Sequence, residues 1–370
     1  MTLSLKLGHE HAAVVEQLHV ERPLPARTPL FAGEDLALLA HMSAKEATNG
    51  LAQLCGELRL GAVYCTSRAA VIAELANLHH RAGGGPALFD RDLYTGKGRL
   101  FAGTHNLDPT WVAAQRRSGL EFGLTDSAYI AADDDLGLKR TLDQAMVIPG
   151  AIAALPVASR WVSHRAGEMV TAINRAGVPV ALMLEHAADP FSAGRTVKGL
   201  LEILDSADVP VLLLRSDSSA IGALAFGAAH AAIGTSSSRR HVFPLKSGHA
   251  IPGVREESAY VLSAMSYRKL STINHAIAVS EGDDIPWICE LSCCEGARLD
   301  GLATREEATR HSLVSQQDLL GTVLLDAEVA AAGWKAKCTH ALSINEEMSR
   351  KIKSTWPVPA FLQAWTNAVR

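Results

Sequence analysis

The 370-residue sequence has few aromatic residues, 5% in all, and no apolar run near the length of a membrane span. A transmembrane helix needs about 20 consecutive apolar residues, so we expect a protein without a membrane segment. The first residues, M-T-L-S-L-K-L-G-H-E-H, lack the apolar core of a signal peptide. We therefore expect a cytoplasmic protein whose cysteines are reduced and available to bind metal.

Charge of either sign is not in strong excess. The formal net charge of −4 argues against non-specific binding to nucleic acid. A local basic cleft is still compatible with this net charge. Hydrophobic residues make up 48% of the chain and charged residues 20%, which is typical of a globular protein with a sizeable core. Because aromatics are scarce, Ala, Leu and Val carry most of the apolar volume.

Short apolar segments alternate with helical patterns through the middle of the chain. The predicted strands cover residues 60–65, 86–92, 120–130, 151–158, 178–186, 209–217 and 231–240. Strands that are apolar on both faces, separated by helices, indicate buried parallel strands joined by crossover helices. This repetition predicts an α/β protein with a (β/α)8 barrel, and a doubly wound sheet is the alternative.

Three regions follow from this pattern. Residues 1–58 are expected to form an N-terminal segment, and residues 59–332 the barrel. The barrel is expected to include a zinc-binding insertion at about residues 245–312. Residues 333–370 are expected to form C-terminal helices, which could pair with a second copy of the chain or with a partner subunit.

Cysteines are concentrated in one stretch, W-I-C-E-L-S-C-C-E-G, where three of the six lie within six positions. These are Cys289, Cys293 and Cys294, and His311 follows seventeen residues after Cys294. Zinc is held by four thiolate and imidazole ligands in structural sites, so the stretch predicts a zinc site. The alternative is a set of buried free cysteines with a surface histidine, because Cys also behaves as a small hydrophobe.

Carboxylates follow several of the predicted strands. They are Asp90, Asp92, Asp126, Glu185 and Asp217. The active site of a parallel barrel lies at the carboxyl ends of its strands. Carboxylates that converge there shift one another's pKa values, which can produce an acid–base pair or an ionised nucleophile. The alternative is that each aspartate only caps the next helix.

The segment I-G-T-S-S-S-R-R-H combines glycine, hydroxyl groups and paired arginines. Gly234, Ser236, Arg239 and Arg240 could therefore cradle a phosphate or hold a nucleic-acid backbone. Trp161, just beyond another strand end, could add an aromatic platform to the same mouth. The alternatives are a solvated turn for the segment and a packing role for the tryptophan.

Taken with these features, the chain resembles the tRNA-guanine transglycosylase superfamily over about residues 85–330. The zinc signature of that family is C-x-C-x-x-C followed by a histidine. Cys289 and Cys294 stand at its first and third cysteine positions, and His311 looks like its histidine. Leu291 replaces the second cysteine, and the adjacent Cys293 is the candidate for the missing ligand. The segment Y-R-K-L-S-T-I-N-H also resembles the stretch that precedes the zinc cysteines in these enzymes.

The resemblance implies a Zn²⁺ site and an exchange of guanine in a nucleic acid for a 7-deazaguanine such as preQ0. DNA is favoured slightly over tRNA. In this family an Asp carboxylate attacks the ribose C1′ carbon and a second Asp assists proton transfer. Asp90 or Asp92 matches the second Asp, and Asp126 could hold the base edge. The strand expected to carry the nucleophile has no Asp, so Asp217 is the candidate. A non-catalytic zinc-binding subunit and an unrelated barrel hydrolase or lyase are the alternatives.

Overall fold

The computed structural model describes residues 30–31, 38–245, 256–280, 286–326, 328–352 and 356–369. The N-terminal segment predicted at residues 1–58 is thus described only at residues 30–31 and from residue 38 onward. Within the described ranges, no helix is both long enough and apolar enough to cross a membrane.

Eight parallel strands form one sheet and confirm the (β/α)8 barrel. Around the sheet their order is β3-β2-β1-β8-β7-β6-β5-β4. They are β1 (Leu38–Ser43), β2 (Gly61–Cys65), β3 (Ala87–Asp90), β4 (Gly123–Leu124), β5 (Ala151–Ala158), β6 (Val180–Glu185), β7 (Val211–Ser216) and β8 (His230–Gly234).

Helices occupy the connections between the strands and continue beyond the barrel. Two predicted helices differ in their bounds: the one expected at residues 220–230 ends at Ala225, and the one expected at residues 344–353 begins at Ala330. The α-helices are α1 (Ala44–Glu46), α2 (Ala52–Glu57), α3 (Ile72–Arg81), α4 (Pro109–Arg117), α5 (Asp135–Ala145), α6 (Arg160–His164), α7 (Ala166–Ala176), α8 (Gly194–Ser206), α9 (Ser219–Ala225), α10 (Leu270–Val279), α11 (Arg305–Val323), α12 (Ala330–Ile352) and α13 (Ala360–Ala368).

Strand burial explains why the apolar runs have no polar alternation. All eight residues of β5 and all six of β7 are buried. A parallel strand packs one face on the barrel interior and the other on the helices, so both faces must be apolar. The charged residue Arg215 inside β7 departs from this pattern.

The seam between β3 and β4 is joined by a side chain. Gln115 of α4 is fully buried and its Oε1 accepts hydrogen bonds from Phe89 N at 3.1 Å and Leu124 N at 3.0 Å. Its Nε2 donates to Leu124 O at 2.8 Å. The amide therefore pairs backbone groups that a direct strand-to-strand ladder would otherwise satisfy.

The barrel begins earlier than the boundary predicted at residue 59. Strand β1 lies inside the region assigned to the N-terminal segment, where it pairs with β2 on one side and β8 on the other. The sequence prediction missed it because the apolar run L-L-A-H-M-S is short and carries a histidine. That histidine, His41, is fully buried within the strand, two residues before its carboxyl end.

A smaller unit follows β8 at the position of the predicted insertion. It contains the antiparallel pair β9 (Ser258–Val261) and β10 (Ser266–Lys269), then α10, then the pair β11 (Ile288–Cys289) and β12 (Ala297–Arg298). Its apolar residues, with others from α11 and α12, form a second hydrophobic cluster that includes Trp287 and Trp356. The rest of the core lies in and around the barrel.

Candidate functional site

The four predicted metal ligands come together in the unit after β8. The Sγ atoms of Cys289 and Cys293 are 3.7 Å apart, and those of Cys293 and Cys294 are 3.6 Å apart. His311 Nδ1 lies 3.6 Å from Cys293 Sγ and 3.3 Å from Cys294 Sγ. Tetrahedral zinc, with bonds of about 2.3 Å to sulfur and 2.0–2.1 Å to nitrogen, sets ligand atoms about 3.5–3.8 Å apart. The arrangement therefore fits a four-coordinate metal ion.

Local structure orients each of these ligands. Cys289 ends β11, and Cys293 and Cys294 lie in the turn to β12. In this turn Gly296 has a φ of 86° and its N donates to Cys289 O at 2.9 Å. His311 Nε2 donates to Tyr260 O at 2.8 Å, which leaves Nδ1 unprotonated and directed at the thiols. A hydrogen bond from Cys293 lowers the pKa of Cys289 to about 4. Cys293 Sγ lies beside the other three candidate ligands, so it can replace the second cysteine of the family signature. Leu291, which occupies that position in the sequence, packs against the second hydrophobic cluster.

Asp90 and Asp92 belong to a cluster at the barrel mouth, which we call the mouth cluster and which also contains Tyr94 and Arg215. Arg215 Nη2 lies 2.5 Å from Asp92 Oδ1 and 3.6 Å from Asp90 Oδ2. Tyr94 OH donates to Asp90 Oδ2 at 2.5 Å. Burial alone would raise the pKa of Asp90, but its bonds to His41 and Tyr94 and the charge of Arg215 hold it below the usual range. Burial raises the pKa of Asp92.

Backbone geometry in the mouth cluster is unusual at both ends of the ion pair. Asp92 has a φ of 56° and Arg215 a φ of 50°, the left-handed region that non-glycine residues seldom adopt. The pairing of β7 with β8 shifts register between Leu213 and Ser216, which is a β-bulge. Bulges re-aim side chains, and here the bulge contains the buried Arg215. A charged residue within an apolar strand was the sequence signal for this position.

Asp217 does not join that cluster. Among the described residues, no hydrogen bond or ion pair links it to Asp90 or Asp92. It lines instead a cavity of about 400 Å³ at the carboxyl end of the barrel, together with Asp189, Arg240 and Tyr267. Ligand pockets typically have volumes of about 300–1,000 Å³. We call this the Asp189–Asp217 cavity.

The two carboxyl groups of the Asp189–Asp217 cavity influence each other. Burial first, and then the negative charge of Asp217, raise the pKa of Asp189 to about 8. Burial also raises the pKa of Asp217, and Arg240 opposes that rise. Two neighbouring carboxyls in a partly dry site hold one proton between them. Near neutral pH the cavity therefore holds a protonated Asp189 beside Asp217, whose pKa is also raised.

Asp189 was not among the sequence candidates. It lies four residues beyond the end of β6, in the segment D-P-F-S, and its Oδ1 accepts a hydrogen bond from Phe191 N at 2.8 Å. That bond is an ordinary cap of the short 3₁₀ turn that follows, so the local sequence gave no functional signal. Only the folded barrel brings this loop to the same cavity as Asp217.

Asp126 and Glu185 are held by other arginines. Asp126 Oδ2 pairs with Arg91 Nη1 at 2.8 Å and its side chain is 1% exposed. Arg99 and the hydroxyl of Tyr129 both contact the carboxylate of Glu185. These pairs connect the long loop between β3 and β4 to neighbouring strands, and the base-edge role expected for Asp126 stays a prediction.

Of the remaining predicted binding residues, some are buried and some lie near the Asp189–Asp217 cavity. Trp161 is 1% exposed, donates to Ala131 O at 2.7 Å and is covered by Arg165, so it offers no open stacking face. A Cβ at Gly234 would lie 2.3 Å from the backbone of Arg239, which makes this glycine a requirement for the close turn after β8. Arg239 contacts Ser236 Oγ at 3.3 Å. Arg240 stacks on Tyr267 at the wall of the Asp189–Asp217 cavity.

Comparisons with known proteins give similarity of fold only. No protein-family model and no curated protein sequence matches the chain. Among solved structures it is similar to a putative dihydrodipicolinate synthase family protein from Coccidioides immitis, at 12% identity and a TM-score of 0.35 over 90% of this chain and 94% of that one. A tryptophan synthase alpha-subunit from Pyrococcus furiosus has 11% identity and a TM-score of 0.34, over 54% and 86% of the two chains. The homocysteine methyltransferase from Escherichia coli has 12% identity and a TM-score of 0.35, over 55% and 91%.

All three are named as enzymes or members of enzyme families, and none is named as a transglycosylase. At TM-scores this low the similarity carries no argument about activity. The barrel assignment rests on the strand order and register of this chain itself.

Proposed function

We propose that this chain is an enzyme of the guanine transglycosylase kind, with Asp217 as nucleophile and Asp189 as proton donor and acceptor. The observation that carries the proposal is the pair of carboxyl groups that line one cavity at the carboxyl end of the barrel. Their pKa values are both raised, that of Asp189 to about 8. Exchange at a glycosidic carbon uses such a pair, one carboxylate to attack and one carboxylic acid to protonate the leaving group.

The proposed reaction has two balanced steps. First, an Asp217 oxygen forms a bond to the ribose C1′ while the C1′–N9 bond breaks, and its electron pair leaves with guanine. Asp189 gives its proton to the departing base. Second, a nitrogen of the incoming 7-deazaguanine attacks C1′, Asp217 leaves, and the proton of that nitrogen passes to the Asp189 carboxylate.

Arginines near the cavity suit a nucleic-acid substrate. Arg240 and Arg268 both line the Asp189–Asp217 cavity, and Arg239 follows β8 in the same loop as Arg240. Guanidinium groups bind phosphate oxygens, and the base must leave its stack to reach the cavity. DNA is the favoured substrate over tRNA, and a 7-deazaguanine such as preQ0 is the incoming base.

The Cys289–Cys293–Cys294–His311 group supports the assignment through the resemblance noted above. Its donor set fits Zn²⁺. With four protein ligands the ion would act structurally, joining the β11–β12 turn to α11, and would supply no open position for chemistry. Proton assistance, which the resemblance attributes to Asp90 or Asp92, moves to Asp189 in this proposal, because Arg215 and Tyr94 already hold the mouth carboxylates.

Exchange of radiolabelled guanine tests the proposal. The wild-type chain should incorporate preQ0 and release labelled guanine from DNA, and Asp217→Asn should lower the rate at least about 100-fold because a covalent nucleophile is removed. Asp205→Asn, on the exposed surface of α8, is the matched control and should leave the rate unchanged.

Other outcomes identify the alternatives. Exchange by wild type that survives Asp217→Asn would remove Asp217 from the mechanism. A wild-type chain that binds DNA or tRNA but exchanges no base would instead be a non-catalytic zinc-binding subunit. Failure both to bind nucleic acid and to exchange guanine would favour an unrelated barrel hydrolase or lyase.

A further inference from the structure

Three side chains from adjacent strands, one of them Asp90 of the mouth cluster, converge at the barrel mouth and take no part in the proposed reaction. His41, Cys65 and Asp90 stand at or near the carboxyl ends of β1, β2 and β3, and all three are buried. His41 Nε2 lies 3.2 Å from Cys65 Sγ and 3.2 Å from Asp90 Oδ2. Cys65 Sγ and Asp90 Oδ2 are 3.7 Å apart.

Orientation of the imidazole excludes a nucleophilic triad. In a Cys–His–Asp triad the cysteine and the aspartate occupy opposite nitrogens of the ring. Here both Cys65 and Asp90 face the same nitrogen, Nε2. His41 Nδ1 has no hydrogen-bond partner among the described residues. Cys65 Sγ donates to Asp90 Oδ2 at 3.7 Å and accepts from Arg215 Nη2 at 3.6 Å, and a thiol is a weak partner in both roles.

A bound metal ion accounts for the close approach of these three side-chain atoms. Tetrahedral bonds of about 2.0–2.3 Å to nitrogen, oxygen and sulfur place the ligand atoms about 3.3–3.6 Å apart. The three observed separations, 3.2, 3.2 and 3.7 Å, lie close to that range. They also resemble the separations of 3.3–3.7 Å within the Cys₃His group of the same chain.

We infer that His41 Nε2, Cys65 Sγ and Asp90 Oδ2 form a second metal site, for a divalent transition metal, within the barrel mouth. Mixed nitrogen, sulfur and oxygen donors suit Zn²⁺ or Co²⁺ rather than Mg²⁺ or Ca²⁺. Three protein ligands leave a fourth position for a water molecule, as in catalytic rather than structural zinc sites. This site is independent of the proposed exchange chemistry.

The two sites should differ in affinity. His311 of the Cys₃His group donates its second nitrogen to Tyr260 O, which orients the ring. His41 lacks such a partner among the described residues. Loss of an outer hydrogen bond to a ligating histidine typically costs about 10–100-fold in metal affinity. The ion at His41 should therefore be the first removed by a chelator.

Metal content of the full chain tests the inference. After reconstitution with Zn²⁺ and removal of excess metal, elemental analysis should find two zinc ions per chain. Cys65→Ala and the isosteric Asp90→Asn should each retain one, and Cys294→Ala should also lose one. Cys55→Ala, at a buried thiol of α2 outside both groups, should keep two.

Co²⁺ absorption gives a second readout. Thiolate-to-cobalt charge-transfer bands should decrease in Cys65→Ala while the stronger bands of the Cys₃His group persist, and Asp90→Asn covers the case in which the alanine variant does not fold. A wild-type chain that binds one zinc, lost in Cys294→Ala and kept in Cys65→Ala, would overturn the inference. Two zinc ions retained in both Cys65→Ala and Asp90→Asn would overturn it as well.

Discussion

At the scale of residues, the pKa values of buried aspartates shift in opposite directions in the Asp189–Asp217 cavity and in the mouth cluster. Asp90 is buried but keeps its charge, because His41, Tyr94 and Arg215 surround it with donors. Asp189 is raised to a pKa of about 8 by burial and by the neighbouring charge of Asp217. A buried carboxyl beside a second carboxyl thus becomes protonated, whereas one surrounded by donors stays ionised.

The pKa of Asp189 predicts a pH-dependent stability. Its folded pKa of about 8 exceeds the value near 4 expected in the unfolded chain. The native state therefore retains a proton that the unfolded state releases between about pH 4 and pH 8. Stability contributed by protonated Asp189 is full below about pH 4 and is lost as pH rises toward about 8. In Asp189→Asn, which has no ionisable group at this position, this decrease of stability with rising pH should be absent.

Urea unfolding of wild type and Asp189→Asn between about pH 5 and pH 8 measures the effect. The free energy of unfolding of the variant, relative to wild type, should increase as pH rises. Asp205→Asn on the exposed face of α8 serves as the control substitution. A wild-type-to-variant difference that stays constant over this pH range would show that Asp189 ionises normally.

At the scale of elements, the barrel depends on one side chain where its ladder is incomplete. Strand β4 has only two residues, and Gln115 supplies three hydrogen bonds between it, α4 and β3. A short strand cannot span the seam with its own backbone groups. The fold therefore requires an amide, which both donates and accepts, at this buried position.

Gln115→Leu should be strongly destabilising. Leucine fills a similar volume but leaves three buried backbone groups of Phe89 and Leu124 without partners, at about 1–3 kcal/mol each. We expect a loss of at least about 3 kcal/mol in the free energy of unfolding, measured by urea denaturation and far-UV circular dichroism. Gln363→Leu on the exposed face of α13 is the control. A loss near that of the control would mean that water or a backbone shift replaces the amide.

At the scale of the whole molecule, the described residues form two hydrophobic clusters. The barrel cluster contains Trp111 and Trp161, and the smaller one contains Trp287 and Trp356 in edge contact at 5.6 Å. The smaller cluster includes Cys289 and is adjoined by Cys293 and Cys294. A metal ion bound there would crosslink the part of the chain with the smaller core.

Metal removal should consequently loosen the smaller unit before the barrel. In Cys294→Ala, or after chelation, amides of β9 to β12 should exchange with deuterium faster, while those of β5 to β8 keep their protection. Hydrogen exchange read by mass spectrometry resolves the two regions. Cys338→Ala, at a buried thiol of α12 outside the ligand group, is the control. Equal loss of protection in both regions would indicate a single cooperative unit.

Sequence patterns predicted the features that depend on neighbours along the chain. Buried parallel strands must be apolar on both faces, so seven of the eight barrel strands were visible as apolar runs. The candidate metal ligands were also recognisable, because three of the four lie within six residues and the fourth on a following helix. Strand β1 escaped detection, since six residues carrying a histidine form no distinct pattern.

Only the tertiary structure decided which side chains meet. Asp189 and Asp217 follow different strands and share a cavity only because β6 and β7 are adjacent in the barrel. His41, Cys65 and Asp90 likewise come from three separate strands whose register brings their ends together. The sequence by itself determined seven of the eight barrel strands and the local cysteine cluster. Strand pairing determined both groups at the mouth, because their members are distant along the chain and adjacent only across paired strands.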